Sequence, residues 1–220
     1  MKQFLKAQNK TNELVITGVL DQDEIDRAAK SEYHWAERRS IGYSTRTVRK
    51  GEIYQFEFGK NDMPEMSYEH RGLVIGIKKR LMYVLPIFSY KPVKHPDVYH
   101  PMDNPGSKSD LYLLKKSEFS FITHDSVLKL NDLRTVSMKR ILYQQPGRID
   151  PALDTYKCIE ALVLQKYFPD FYREYGKRGE ETEVLKEQVE KITAEKDAIE
   201  AENEKLKQKI ETLKAAAKST

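Results

Sequence analysis

A cluster of basic side chains between residues 38 and 50 is the first group in this sequence that could do chemistry. Guanidinium and ammonium groups bind phosphate oxygens, so the cluster predicts a phosphate-binding surface. Part of it closes a predicted helix, where basic side chains also stabilise the helix dipole without a ligand, and this alternative stays open. The members are Arg38, Arg39, Arg46, Arg49 and Lys50.

Histidines are the second group, because an imidazole titrates near neutral pH and suits general acid-base catalysis. The candidates in predicted loops are His100 and His70, followed by His95. The alternative is that these loop histidines have no functional role. His34 on a predicted helix and His124 beside Asp125 are expected to be structural. No standard metal-ligand spacing is present, so no metal site is predicted.

Aromatic side chains could serve nucleic-acid recognition by stacking on unpaired bases. The candidates are Tyr90, Tyr99 and Tyr112. With 13 Tyr and 8 Phe in the chain, most aromatic rings are expected to pack in the core or at its rim.

The composition predicts a basic folded body followed by a charge-rich tail. The chain has 220 residues, of which 39% are hydrophobic and 33% are charged, above the roughly 25% charged residues of average domains. Residues 177–220 hold 10 basic and 11 acidic residues, a net charge of −1, and the rest hold 28 and 23, a net charge of +5.

A single cysteine, Cys158, excludes an internal disulfide and a multi-cysteine zinc site. With no apolar run of membrane-spanning length, the expected compartment is the cytoplasm.

The tail carries a heptad pattern that predicts a coiled coil over residues 177–218. Lys196 and Asn203 place polar groups in the seam, which favours a fixed register and a low oligomer state. A parallel homodimer is the first expectation, while an antiparallel pair, a different partner and a single solvated helix stay open. Gly176 and Gly179 predict a hinge before the tail. The expected oligomerisation residues are Leu185, Val189, Ile192, Ile199, Asn203, Leu206, Ile210 and Leu213.

The body is predicted to contain a helical extension over residues 1–50 and a mainly β domain over residues 51–169. Asp21 and Glu24 form a capping arrangement for a helix over 22–39. A last helix is expected to open at Asp150 and Pro151 and to stop at Pro169. Short strands with one closing helix favour a small barrel. The predicted strands are 51–58, 73–77, 81–87, 111–114, 126–130 and 133–136.

Five segments of the β domain resemble, in order, motifs of the PemK/MazF-like toxins. Residues 51–58 resemble the opening strand of that family, and Glu65 resembles its acidic first-loop residue. Residues 70–75 (His-Arg-Gly-Leu-Val-Ile) and 84–89 (Val-Leu-Pro-Ile-Phe-Ser) resemble its next two strands. Residues 131–136 (Asn-Asp-Leu-Arg-Thr-Val), followed by 139–141 (Lys-Arg-Ile), resemble its next conserved segment.

This resemblance implies an SH3-like barrel and an endoribonuclease that cleaves single-stranded RNA by 2′-hydroxyl attack, without a metal or other cofactor. It implies that Arg71 is catalytic, because a guanidinium can hold two phosphate oxygens, and that Glu65 orients it. It also implies a bacterial toxin whose cognate antitoxin protein covers the Arg71 groove, and a homodimer through the barrel, the coiled coil or both. RNA contacts are expected at Arg38, Arg39, Arg46, Arg49, Lys91 and Arg134.

The sequence departs from the family at Phe88, which stands where the family has its catalytic threonine. The nearest hydroxyl is Ser89. Successive strand side chains face opposite sides, so Ser89 is expected to point away from Arg71 unless a bulge intervenes. Gly72 in place of the family's proline is expected to change loop stiffness. An active nuclease using Ser89, an inactive barrel that binds RNA or protein, and a topoisomerase poison therefore all stay open.

Overall fold

The computed structural model describes residues 1–42 and 46–217, with the side chains of the last helix described as far as residue 210. The chain divides into two compact units, Met1–Tyr167 and Phe168–Thr220. The first holds an open antiparallel sheet of seven strands with three helices, and the second is built on one long helix. Among the described residues, no helix is both long enough and apolar enough to cross a membrane.

Four helices and seven strands follow one another within residues 1–42 and 46–217. The helices are α1 (Lys2–Ile16), α2 (Gln22–Ser40), α3 (Asp154–Tyr167) and α4 (Pro169–Ala217). The strands are β1 (Glu52–Glu57), β2 (Glu69–Lys78), β3 (Leu81–Ser89), β4 (Leu111–Leu114), β5 (Ser126–Lys129), β6 (Arg134–Ser137) and β7 (Ile141–Arg148), with a 3₁₀ turn at Met138–Arg140 before β7. The prediction of a β-rich fold with helical additions is confirmed in part, because the sheet is open and antiparallel and the helices in the described residues make the fold mixed α/β.

Strand β3 organises the sheet, whose order is β4-β5-β3-β2-β1-β7 with β6 also on β3. One edge of β3 pairs with β2, as the predicted hairpin requires, and the two-residue turn between them holds Lys79 at a left-handed φ of 56°. The other edge pairs first with β6, at Leu81 to Val84, and then with β5, at Ile87 to Ser89. The end of β3 therefore lies between β2 and β5.

Both faces of the central strands are buried, because apolar side chains alternate into two separate cores. Leu73 and Leu85 pack on one face with Tyr156 and Ile159 of α3. The opposite face contributes a second core, which contains Tyr54, Phe56, Val74, Val84 and Val136. The alternation predicted at 51–58 is confirmed, because Tyr54, Phe56 and Phe58 all face the second core. The other face of β1 is more buried than predicted, through Ile53 and Glu57.

Gly72 is part of this packing and lies inside β2, so the expectation that it affects a loop is wrong. A Cβ atom at this position would overlap Val84 and would lie 2.9 Å from Cδ2 of Phe56. The second core therefore requires glycine here, and it fixes the backbone immediately beside Arg71.

Other differences from the predictions concern helix ends and one strand. α4 runs without interruption through Gly176 and Gly179, so the predicted hinge is wrong. α3 begins at Asp154, four residues after the predicted start, and does end before Pro169. α1 and β7 were not predicted. α1 buries none of its side chains, and β7 is an edge strand that contains Pro146 and Gly147.

Candidate active site

Arg71 projects from β2 on the face that also packs against α3. Its register partner on β3 is Ile87, a member of the same core, and partners in antiparallel strands share a face. The guanidinium nitrogen Nη2 donates a hydrogen bond to Ser126 Oγ at 3.0 Å. Burial lowers the pKa of Arg71, but an arginine stays protonated at neutral pH. Within the described residues Arg71 forms no ion pair, so its positive charge is available to an anion.

Ser89 shares this face with Arg71, contrary to the expectation that it points away. Because Arg71 pairs with Ile87, the residue two places further along β3 returns to the same side of the sheet. Phe88 points to the opposite side, where it packs with Tyr90 in a separate apolar cluster. No bulge is needed between Arg71 and Ser89. The expectation aligned Phe88 with Arg71 from the motif, whereas the strand register aligns Ile87.

His124 joins the two side chains, although it was expected to be structural. Its Nε2 atom lies 2.9 Å from Ser89 Oγ and 3.3 Å from Arg71 Nη2. A guanidinium N–H can only donate, so Nε2 is the acceptor and carries no hydrogen in this arrangement. The Nδ1 atom then carries the hydrogen and donates it to Thr123 Oγ1 at 3.0 Å. This tautomer leaves Nε2 as a proton acceptor beside a hydroxyl.

Backbone contacts hold the segment that carries His124. Ser126 is fully buried, accepts from Arg71 and donates to the His124 carbonyl oxygen at 3.0 Å. The Asp125 carboxylate accepts from the Lys116 amide at 2.8 Å, and the Tyr90 amide donates to the Asp125 carbonyl at 3.0 Å. The imidazole is therefore fixed between the end of β3 and the start of β5, while His124 and Ser89 themselves are exposed.

Glu65 belongs to a different centre, and the expected pairing with Arg71 is wrong. Its carboxylate lies 3.2 Å from Arg134 Nη2, and Arg134 Nε donates to Asp132 at 2.7 Å. The Arg134 guanidinium also lies over the Phe58 ring, 5.7 Å from its centroid. Arg134, a predicted RNA contact, is thus mostly buried between two carboxylates.

The other candidate histidines lie outside this cluster. His100 is buried; its Nε2 lies 2.8 Å from Glu118 Oε1, and its Nδ1 accepts the amides of Met102 and Asp103. These contacts fold the loop between β3 and β4. His70 lies on β2, pairs with Phe56 of β1 and is on the opposite face from Arg71. Burial lowers the pKa of His70, and Arg27 and Arg71 act in the same direction.

His95 and the candidate stacking tyrosines are also part of the packing. His95 contacts the rings of Phe88 and Tyr90, and its Nδ1 accepts the Lys91 amide at 3.2 Å. The rings of Tyr99 and Tyr112 contact each other, 5.7 Å between centroids, and Tyr112 is buried.

The predicted basic residues divide between several places. Arg38 and Arg39, at the end of α2, line a cleft of about 540 Å³ together with Trp35, Lys60 and Arg140. Arg39 lies over the Trp35 ring, 4.7 Å from its centroid, and burial lowers the pKa of Arg38. Arg46 lies over the Tyr54 ring, and Arg49 and Lys91 are exposed.

In the second unit, α4 presents the predicted apolar stripe along an exposed surface. The stripe side chains that are described remain half-exposed or more: Leu185, Val189, Ile192, Ile199, Leu206 and Ile210. Asn203 is exposed on the same helix, and Leu213 lies beyond the described side chains.

Three kinds of group therefore meet at the end of β3: a proton acceptor, a hydroxyl and an arginine that pairs with no carboxylate in the described part of the chain. Sequence reasoning selected Arg71 and Ser89 but missed His124, Ser126 and Thr123. The available signal was the Thr-His-Asp-Ser run at the start of a predicted strand. Only the pairing of β5 with β3 places this run beside Arg71 and Ser89. A scan against protein-family models and a search of curated proteins found no match to this chain.

Proposed function

We propose that this protein is an endoribonuclease that cleaves single-stranded RNA through attack of the 2′-hydroxyl on the neighbouring phosphate. The observation that carries the proposal is the convergence of Arg71, Ser89 and His124 at an exposed strand end. These groups can bind a phosphate, accept a proton and return it, which are the tasks that this reaction requires.

In the proposed reaction, His124 Nε2 takes the proton of the 2′-hydroxyl as the 2′-oxygen forms a bond to phosphorus. The bond between phosphorus and the 5′-oxygen breaks, which leaves a 2′,3′-cyclic phosphate. The 5′-oxygen takes a proton from Ser89 Oγ, and Ser89 recovers it from His124 Nε2 across the 2.9 Å contact. One proton moves from the 2′-oxygen to the 5′-oxygen, and the imidazole returns to its starting state.

Arg71 stabilises the negative charge that grows on the phosphate oxygens in the transition state. Its known partners, Ser126 and His124, are neutral hydrogen-bond groups that orient the guanidinium without neutralising it. The partial burial of Arg71 strengthens its interaction with a phosphate, because water screens the charge less at this place.

The resemblance to PemK/MazF-like toxins supports the wider context of the proposal. We infer that the sheet of the first unit is a variant of the SH3-like barrel, since β3 pairs along both edges with three other strands. The protein then acts in the bacterial cytoplasm as a toxin, and a cognate antitoxin covers Arg71. The exposed stripe of α4 supports a dimer, so removal of residues 177–220 should lower the oligomer mass measured by light scattering.

A catalytically inactive barrel that binds RNA or a protein is the second candidate, and Phe88 favours it. The ring that replaces the family's threonine packs into an apolar cluster with Tyr90 and contacts His95, so this position is built for packing. A topoisomerase poison is the third candidate, but it gives no role to the Arg71 site.

The test is incubation of purified protein with mixed-sequence RNA in EDTA, followed by mapping of the new ends. We expect cyclic-phosphate ends from the native protein, loss of cleavage in Arg71→Ala, and reduced cleavage in Ser89→Ala. His95→Gln is the matched control, because His95 lies on the other side of β3. Binding of RNA without cleavage by the folded native protein would contradict the nuclease and favour the inactive barrel.

A further inference from the structure

Three side chains that commonly bind metal ions converge beneath α2, outside the candidate active site. His34 comes from α2, Glu57 from the end of β1 and Glu69 from the start of β2. The Nδ1 atom of His34 lies 3.4 Å from Glu57 Oε2 and 3.2 Å from Glu69 Oε1. All three ligand atoms lie within 4.8 Å of one another.

The two separations from His34 Nδ1 match the spacing of ligand atoms around one metal ion. Zinc bonds of about 2.0–2.2 Å in a tetrahedral site place neighbouring ligand atoms about 3.3–3.6 Å apart. The two distances from His34 Nδ1, 3.4 and 3.2 Å, are close to such an edge. The 3.4 Å separation from Glu57 is longer than a usual hydrogen bond of about 2.7–3.2 Å, and one N–H cannot align with two carboxylates at once, so hydrogen bonding does not account well for both contacts.

The burial and the charge of the two carboxylates also favour a bound cation. Glu57 is only 4% exposed, and its Oε1 already accepts hydrogen bonds from Ser31 Oγ at 2.9 Å and from the Gly59 amide at 2.8 Å. Its Oε2 is therefore the atom that faces His34. Two carboxylates at one largely buried place carry a negative charge that favours cations, and the nearby Arg38 guanidinium supplies part of the positive charge.

Lys30 supplies part of that positive charge, with its Nζ 3.0 Å from Glu69 Oε1. Its side chain is 59% exposed, so it can move into solvent when an ion binds Glu69. The lysine reaches one of the two carboxylates, whereas an ion between the three ligand atoms would contact both.

We propose that His34, Glu57 and Glu69 bind one divalent transition-metal ion, with Zn²⁺ as the best match to one imidazole and two carboxylates. The ion joins α2 to β1 and β2. The ion would help to hold α2 on the sheet, because this helix buries no apolar side chain and its only buried residue is the polar Ser31. The proposal is independent of the proposed nuclease reaction, which uses other residues.

The test is titration of the metal-free full-length protein with ZnCl₂ by calorimetry, and with CoCl₂ by visible absorption. We expect one ion per chain, the absorption bands of four-coordinate Co²⁺, and a higher melting temperature with Zn²⁺. His34→Gln and Glu69→Gln should each weaken Zn²⁺ binding by more than about 100-fold, since even outer contacts of a metal site are worth 10- to 100-fold. Both residues are partly exposed, so both variants are expected to fold.

The controls are Glu37→Gln, an exposed carboxylate on the same helix, and His95→Gln, an imidazole outside the cluster. Both should bind Zn²⁺ as the native protein does. The proposal is overturned if the native protein binds no Zn²⁺, or if the folded His34→Gln and Glu69→Gln variants bind it as tightly as the controls.

Discussion

Two arginines on neighbouring parts of the sheet differ in what holds them. Arg134 lies between the carboxylates of Asp132 and Glu65, at 2.7 and 3.2 Å. Arg71 is held by the neutral groups of Ser126 and His124, at 3.0 and 3.3 Å. A guanidinium that is already paired stabilises the fold, whereas one that is oriented but not neutralised can bind a phosphate. The same side chain therefore serves structure in one place and, in our proposal, catalysis in the other.

Of the changes at these two arginines and their neighbours, Arg71→Ala is expected to have the largest effect, which is on the rate of RNA cleavage. Loss of a charged donor at the phosphate should lower kcat/KM by about 10³-fold, equivalent to about 4 kcal/mol of transition-state stabilisation. The melting temperature should change little, because no buried carboxylate loses its partner. A rate within tenfold of the native value would remove Arg71 from the reaction.

Arg134→Ala should show the opposite result, with lower stability and retained activity. The substitution leaves Asp132, which is 9% exposed, without its closest cation, and we expect a loss of about 3 kcal/mol in the free energy of unfolding. Urea denaturation measures this loss, and cleavage at a temperature where the variant is folded measures the activity. A stable but inactive variant would reverse the assignment of the two arginines.

Ser126→Ala tests whether the neutral contact positions Arg71. The change removes one acceptor of Arg71 and the donor to the His124 carbonyl, so both side chains lose part of their orientation. We expect kcat to fall about tenfold with a smaller change in KM. Steady-state kinetics on a short RNA would check this, and an unchanged kcat would show that Arg71 needs no support from Ser126.

The smallest effect is expected for Glu65→Gln. Glu65 is 59% exposed and pairs with Arg134, so the free energy of unfolding should change by less than about 1 kcal/mol. Cleavage should be unaffected. A large loss of cleavage would support the role implied by the family resemblance, in which this carboxylate orients the catalytic arginine.

Local patterns in the sequence were enough to predict much of the fold. The capped helix α2 and strand β4 follow from a capping residue and a short apolar run, and Asp21 does accept the Glu24 amide at 2.7 Å. The β2-β3 hairpin follows from two apolar runs separated by three charged residues. β7 was missed because Pro146 and Gly147 interrupt its pattern, and an edge strand tolerates both.

The candidate site was only half predicted, because it depends on pairing between distant segments. Arg71 and Ser89 came from motifs, but 35 residues separate Ser89 from His124, and no local signal aligns them. Asp125 suggested a structural histidine, yet its carboxylate bonds to the Lys116 amide instead. The pairing of β2 with β3 also decides whether Ser89 and Arg71 lie on the same face of the sheet, and the sequence does not specify that register.

The most direct test of the proposed reaction is RNA cleavage by His124→Gln beside the native protein, under single-turnover conditions. Removing the proton acceptor should lower the rate by about 10²- to 10⁴-fold while RNA binding and the melting temperature stay close to native values. His100→Gln should lose stability instead, because His100 is buried and folds its loop. A His124→Gln protein that cleaves RNA at the native rate would show that His124 is not the proton acceptor of the reaction.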